Sequence, residues 1–448
     1  MRQRASILVG LLWCLALLSV IVIGVLHTAR MDLLVVKNYG DRIQAHYLAL
    51  AGIEKAKALL YHDAQERSRS QKNHTGSLYD DAQHFREIPL GRGVFSVLRR
   101  GRADEGGGIV FGISDEESRL NLNAATADEL GRLQNMTPDV ATAIVNWHGG
   151  NSATATAEAQ YYGGLQPPYQ PRNGPFQTVR ELLMVRGISP QLVSGRDTHQ
   201  NGMLAPDAEK DSARSVDNAD LGWAGMLTVD SSVQNLNAAG EDRVNIQNAN
   251  ESALTALKGV TSQIARAIVS YRGQRRFESI ADLLDVTPAQ NQNQNQRGAG
   301  GAAASRQPAS DQSGNSGTKV VDENLFMDIA DDVTTDTGQS VAGAINVNTA
   351  GLDVLACLPG MTRELAQAVI SQRQSAGFFT STGGLLKVPG LTRDIFKQIA
   401  PLVSARSETF RILSEGKINS TGARRRIQAI VHVGLNDQTT LSWREDDL

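Results

Sequence analysis

The sequence predicts an α+β protein: a long N-terminal helix, transmembrane and then amphipathic, packed on a small antiparallel sheet that a large α-helical domain interrupts. Three observations predict it. The first sixty residues hold no proline, and an uncharged run passes without a break into an amphipathic one. Short alternating segments bounded by glycine stand near residue 100 and again near residue 410. Between them one 28-residue pattern occurs three times.

Met1–Ala5 is short and basic, and Ser6–Leu26 carries no charge. A bilayer core asks for about 20 apolar residues. A cleaved secretory signal has a shorter apolar centre of roughly 7–15. The run is therefore read as a retained anchor, with Arg2 and Arg4 keeping the short end in the cytoplasm. Residues 30–62 place Leu33, Val36, Ile43, Tyr47, Leu50, Ile53, Ala56, Leu59 and Leu60 at helical spacing, which predicts an amphipathic continuation. Asp63–Gln83 is polar and reads as a loop. Gly91–Arg99 and Gly108–Ser114 read as strands, with a charged, glycine-rich turn between them.

The repeats are Asn121–His148, Asn245–Arg272 and Asn346–Arg373, which align without gaps. Leu130, Leu254 and Leu355 coincide, as do Thr137, Thr261 and Thr362. Each reads as helix, tight turn, helix, with Asn135, Gly259 and Gly360 where the turn needs positive φ. Each is followed by a Phe and a Leu pair, predicting a third short helix. The inserted domain is set at 116–400, with units near 119–195, 243–287 and 344–400 and a disordered, low-complexity linker at 288–319. Residues 401–448 return to strands: Ser407–Ser414, Arg426–Val433 and Thr439–Trp443. Arg424–Arg426 reads as a charged guard at a sheet edge.

Over the 448 residues the net charge is -3, which argues against a nucleic-acid coat. Cys14 and Cys357, one inside the apolar run, form no disulfide framework. No HExxH, CxxC, GxSxG or Walker pattern occurs, so no enzyme is expected. Asp197–Glu209 echoes a calcium loop: Asp197, Asn201 and Gly202 fit its first, fifth and sixth positions. His199 is a poor third ligand, and Glu209 falls one residue late, so a solvated loop is expected.

The three units resemble helix-hairpin-helix folds. In DNA-binding examples the turn amides and the next helix N-terminus hold a phosphate. Here Thr replaces the second turn glycine in all three copies, and the nearby cations are few: Arg132, Lys258, Arg266 and Arg363. A packing scaffold is the expectation, and a membrane-tethered DNA-binding protein of DNA uptake is the alternative.

The whole chain resembles the minor pseudopilin K family of bacterial type II secretion (general secretion pathway protein K). The residues that carry the likeness are the apolar head, Gln44–Ala56, Asp115–Asn123 (DEESRLNLN), Glu158–Gly187 with Tyr161-Tyr162, Pro167-Pro168-Tyr169 and Asn173–Phe176, and Gly343–Asn348 with Leu358–Gly360. The resemblance implies a pilin-like sheet and a non-enzymatic assembly protein. It implies cleavage by a prepilin peptidase between Ala5 and Ser6, where the family favours Gly at the last leader position. It further implies a single-pass inner-membrane protein with a periplasmic bulk, at the tip of a pseudopilus with I-type and J-type partners. Most pilins carry Glu at the fifth mature position. This chain has Gly10, as the K branch does, which suits starting or capping a filament. Family members can bind calcium, but the acidic cluster that often follows the first unit's Trp is here Trp147-His-Gly-Gly-Asn-Ser.

Overall fold

The computed structural model describes residues 2–71, 76–149, 152–197, 202–203, 221–288 and 319–445. The expected linker at 288–319 therefore lies almost wholly outside the described residues.

One helix runs from Arg2 to Ser70. With no proline to stop it, its 69 residues rise about 100 Å. From Leu8 onward it is long and apolar enough to cross a membrane. From Leu8 through Gly40 its side chains are exposed; then Asp41, Ala45, Leu48, Ala49, Ile53, Ala56, Leu60 and Ala64 are buried along one face. This corrects two expectations. The helix extends through the segment read as a loop from Asp63. The seated face also takes only part of the expected stripe: Ile53, Ala56 and Leu60 are buried, whereas Leu33, Val36, Ile43 and Tyr47 are exposed. Small residues set the contact instead, because they let helix and sheet approach closely. A Cβ on Gly52 would lie 2.1 Å from Ser414 Oγ.

The sheet beneath runs Ile88–Leu90, Gly93–Arg100, Thr409–Ile418, Arg424–Val433, Gln438–Arg444, all antiparallel. Leu98 pairs with Leu413 across 315 residues of sequence, so everything between them is inserted into one sheet. Val97, Phe410, Ile412, Ile427, Ala429 and Val431 face the helix and bury with Ile53 and Leu60; each large side chain so buried contributes about 1.5–3 kcal/mol. The stretch read as one strand at 108–114 is two short ones, Ile109–Val110 and Ser114–Asp115. Gly112 breaks it where the backbone passes Tyr79: a Cβ there would lie 2.2 Å from the Tyr79 carbonyl oxygen. Arg424–Arg426 opens a strand with neighbours on both sides, but the outer neighbour pairs only from Gln428 on, so the three arginines stand at a local edge; Arg424 and Arg426 pair with Glu415 on the inner strand.

The inserted head consists of three units around one continuous core. Each opens and closes with a two-residue parallel pair: Leu120–Asn121 with Leu227–Thr228, Val244–Asn245 with Val333–Thr334, Ile345–Asn346 with Val403–Ser404. The opening Asn folds the chain into the first hairpin: Asn121, Asn245 and Asn346 each accept the N–H two residues on. The amide at that second position holds the backbone before the next short helix. Asn348 accepts Phe379 N–H at 2.7 Å and donates to the Phe379 and Ala405 carbonyls at 2.9 Å. Asn123 does the same at Phe176. Asn348→Ala leaves these buried groups unmatched and is expected to cost about 3 kcal/mol in chemical denaturation. A change within error would remove this amide from the account of the fold.

The expected third short helix is a 3-10 turn, and it is followed by a fourth helix. Val179–Met184 leads to Pro190–Ser194, Ile280–Asp285 to Glu323–Ile329, and Thr382–Lys387 to Arg393–Ile399. Each unit is thus a double hairpin. Gly187 and Gly390 sit at positive φ in two of the second turns. In the middle unit the chain leaves this turn at Val286 and returns at Val320, whose N–H reaches the Val286 carbonyl at 3.0 Å. The low-complexity stretch is therefore an insertion in a hairpin turn.

Candidate functional site at the sheet–head junction

The head enters through Ser114-Asp115-Glu116-Glu117 and leaves through Arg406-Ser407-Glu408-Thr409. These two stretches meet, and all four acids are buried. A buried carboxylate is tolerated only when paired and hydrogen-bonded. Asp115 accepts from Asn346 Nδ2 at 3.0 Å, Ser407 Oγ at 2.5 Å, Glu117 N–H at 2.8 Å and the Thr349 hydroxyl. Glu116 meets Arg411 at 2.6 Å and the Thr228 hydroxyl at 2.5 Å, with Arg119 3.8 Å away. Burial raises its pKa, but the Arg411 and Arg119 guanidiniums outweigh that and hold it below the usual carboxylate range. Arg119 is itself lowered to about 10, by burial and then by Arg411. Glu117 accepts from the Thr409 N–H through both oxygens. Tyr79 lies beside Ser407, its hydroxyl pushed well up by burial and by the Asp115 charge.

Two further attachments flank the junction. Arg373, at the last position of the third repeat, donates to the Val347 and Ala350 carbonyls at 2.8 Å and to Asp104 at 3.0 Å, tying the loop after Arg100 to the third unit. On the other side Ser68 Oγ donates to the Ala239 carbonyl at 2.7 Å, and Gln234 donates to Asp437 at 3.1 Å. The long helix, the sheet and two head units are thereby held in one orientation. Chemically the junction is two groups of ion pairs, about Glu116 and about Glu408, beside two carboxyls, Asp115 and Glu117, held by hydrogen bonds.

The sequence singled out DEESRLNLN as a motif without assigning it a role; three successive acids beside an Asn-Leu-Asn turn were its signal. Arg406–Glu408 was missed because it reads only as the approach to a strand. Ala5, Ser6 and Gly10 lie in the long helix far from this junction. Gly10 has open space where a Cβ would stand, so no contact within the chain demands glycine there. Of the calcium-loop residues, Asn201 and Glu209 lie outside the described residues. Asp197 is buried, and its Oδ2 accepts the Gly202 N–H at 2.7 Å. Among the described residues no group of three His, Cys, Asp or Glu is placed to hold a metal.

The hairpin turns are the second candidate surface. Thr137, Thr261 and Thr362 cap their following helices, accepting N–H groups at 3.3–3.4 Å. That cap occupies the helix N-terminus a phosphate would use. The nearby cations are engaged within the chain: Arg132 with the Leu358 carbonyl, Lys258 with Asp328, Arg266 with Glu251 and Arg363 with Asp353.

The architecture defines the class: a membrane-type helix seated on a split antiparallel sheet that carries a helix-hairpin-helix head. Residues 116–195 match the family described as type II secretion system (T2SS), protein K, and residues 240–289 and 340–404 match the helix-hairpin-helix motif. The K-type likeness thus covers the first head unit, and the helix-hairpin-helix likeness covers the other two. A relative, endonuclease/exonuclease/phosphatase family domain-containing protein 1 of Xenopus laevis, is 29% identical over 164 residues. The match takes in 36% of this chain and 26% of that one, so the chain spans about a quarter of the relative's length. A comparison of solved structures finds the GspK–GspI–GspJ complex of the enterotoxigenic Escherichia coli type 2 secretion system. Identity there is 13%, 90% of this chain and 97% of that chain are covered, and the TM-score is 0.36.

Proposed function

We propose that this protein is the tip subunit of a type II secretion pseudopilus, starting or capping its assembly for export across the outer membrane. The observation that carries the reading is the K-type segment at 116–195 inserted in a sheet that rides on an apolar helix. A head of this size, inserted in sequence between two paired strands, is a poor repeating unit, because it would obstruct the next subunit above it. An end position suits it, and so does Gly10, which brings no acid into the bilayer. In this reading the chain is not an enzyme. It crosses the inner membrane once, with its N-terminus cytoplasmic and its bulk periplasmic. Prepilin peptidase cuts between Ala5 and Ser6, and the partners are I-type and J-type minor pseudopilins.

Co-expression with those two subunits and the peptidase tests this. We expect both to co-purify with a chain whose mass begins at Ser6; loss of both partners from the purified material would sink the reading. The alternative, a tethered DNA-binding protein, draws on the helix-hairpin-helix matches. It requires tight, salt-sensitive duplex binding in a gel shift, against which the capped turns and engaged cations argue.

A further inference from the structure

A cavity lies between the middle and third units of the head. Val333 and Thr334 line it from the middle unit, Ala400 and Val403 from the third, and Asn235 and Arg406 complete the wall. It leaves about 130 Å³ for the centres of water-sized molecules, where one water needs only about 10–15 Å³. Two polar groups in this wall are buried with bonds unmade. Arg406 is 2% exposed, and its Nη2 donates to the Gln234 and Leu236 carbonyls, on either side of Asn235. Its Nε and Nη1 have no hydrogen-bond partner among the described residues. Nε lies 3.8 Å from Glu408, a carboxylate that stands equally far from Arg67; neither Glu408 nor Arg67 lines the cavity. Asn235 Oδ1 is likewise buried without a donor, while its Nδ2 is bound to the Asp336 and Gly338 carbonyls. The other charges of the wall are engaged or wet. Arg243 pairs with Asp331, whose second oxygen accepts the Ala238 N–H, and Asp336 is exposed and accepts the Gly338 N–H.

Folded proteins leave few buried polar groups unmatched, and a buried guanidinium short of acceptors is costly. Water in the cavity would make the bonds without meeting the charge. Chloride would meet the charge and leave Asn235 Oδ1 without a donor. A small oxyanion that still carries a proton does both: an ionised oxygen accepts from Arg406, and its O–H donates to Asn235 Oδ1. We propose that this cavity is a binding site for such an oxyanion, of the hydrogenphosphate or bicarbonate class, held by Arg406 and Asn235. Its walls come from two units, so the bound ion ties the middle unit to the third. The site is a property of the head alone and does not depend on the secretion reading.

Equilibrium dialysis of the full-length protein in detergent against labelled inorganic phosphate tests it. Thermal melting in phosphate, bicarbonate, sulfate and chloride, at one ionic strength and near neutral pH, accompanies it. Phosphate and bicarbonate should raise the melting temperature saturably, as ligands of the folded state do. Sulfate, which carries no proton near neutral pH, should give only its general, non-saturating salt effect. Asn235→Asp sets a carboxylate in the wall, removes the neutral acceptor and repels the ion. It should weaken phosphate binding about tenfold or more. Absence of saturable phosphate binding, displacement by sulfate as effective as by phosphate, or binding that survives Asn235→Asp unchanged would each overturn the proposal. If Asn235→Asp does not fold, the competition between sulfate and phosphate on the wild type decides.

Discussion

Gly416→Val is expected to unseat the long helix and cost about 3 kcal/mol or more in stability. Gly416 lies mid-strand, opposite Phe95 on one side and Arg425 on the other, with the helix directly over it. A Cβ there would lie 2.0 Å from the Ala45 carbonyl oxygen and 2.6 Å from the Ala49 nitrogen. Those are backbone atoms, so no rotamer change relieves the clash. The helix must lift, and Ala45, Leu48, Ala49 and Ile53 lose their contacts with it. A native domain holds only about 5–15 kcal/mol in all. Gly273→Ala is the control. It lies in the helix Ser262–Gln274 with nothing near the new methyl, and should gain roughly 0.4–1 kcal/mol. Thermal melting of both full-length variants in detergent checks this. If Gly416→Val melts with the wild type, the helix is not seated as described.

That contact also shows why the sequence misled on the helix face. Apolar size pointed to Ile43 and Tyr47, whereas the close approach is made by Ala45, Ala49, Gly52 and Ala56 against Gly416 and Ser414. Small residues carry little hydrophobic signal, and their value appears only when a second backbone is placed against them. The antiparallel sheet, its interruption and the tandem hairpins were legible because each rests on a local period or a repeated pattern. The second hairpins were not, since their helices run only five to seven residues, too short for a 3.6-residue period to register. The junction was the least legible part. Its hydrogen bonds and ion pairs join residues hundreds of positions apart, as from Arg411 to Glu116 and from Arg67 to Glu408. Only the acidic run beside Asn121 hinted that something must neutralise it.

Glu408→Ala should be the most damaging single change at that junction, at about 3–5 kcal/mol. Glu408 is 1% exposed, and one of its oxygens accepts the Gln234 N–H at 2.7 Å. The other lies 3.8 Å from Arg67 of the long helix and 3.8 Å from Arg406, both buried. One carboxylate thus serves two guanidiniums from different elements. Arg406 also donates to the Gln234 and Leu236 carbonyls, and burial, followed by Arg243, lowers it to about 10. A guanidinium does not discard its charge near neutral pH. Removing Glu408 therefore leaves two like charges in a dry site, a cost that exceeds the value of the pair itself. Combining Glu408→Ala with Arg67→Leu should recover part of the loss, because one of the two like charges then leaves the dry site. Glu408→Gln, which keeps the acceptor for Gln234 but not the charge, should fall between the two. Chemical denaturation of the three proteins separates these cases. A Glu408→Gln protein as stable as the wild type would mean that packing and the Gln234 hydrogen bond, and not charge, hold the long helix to the exit of the head.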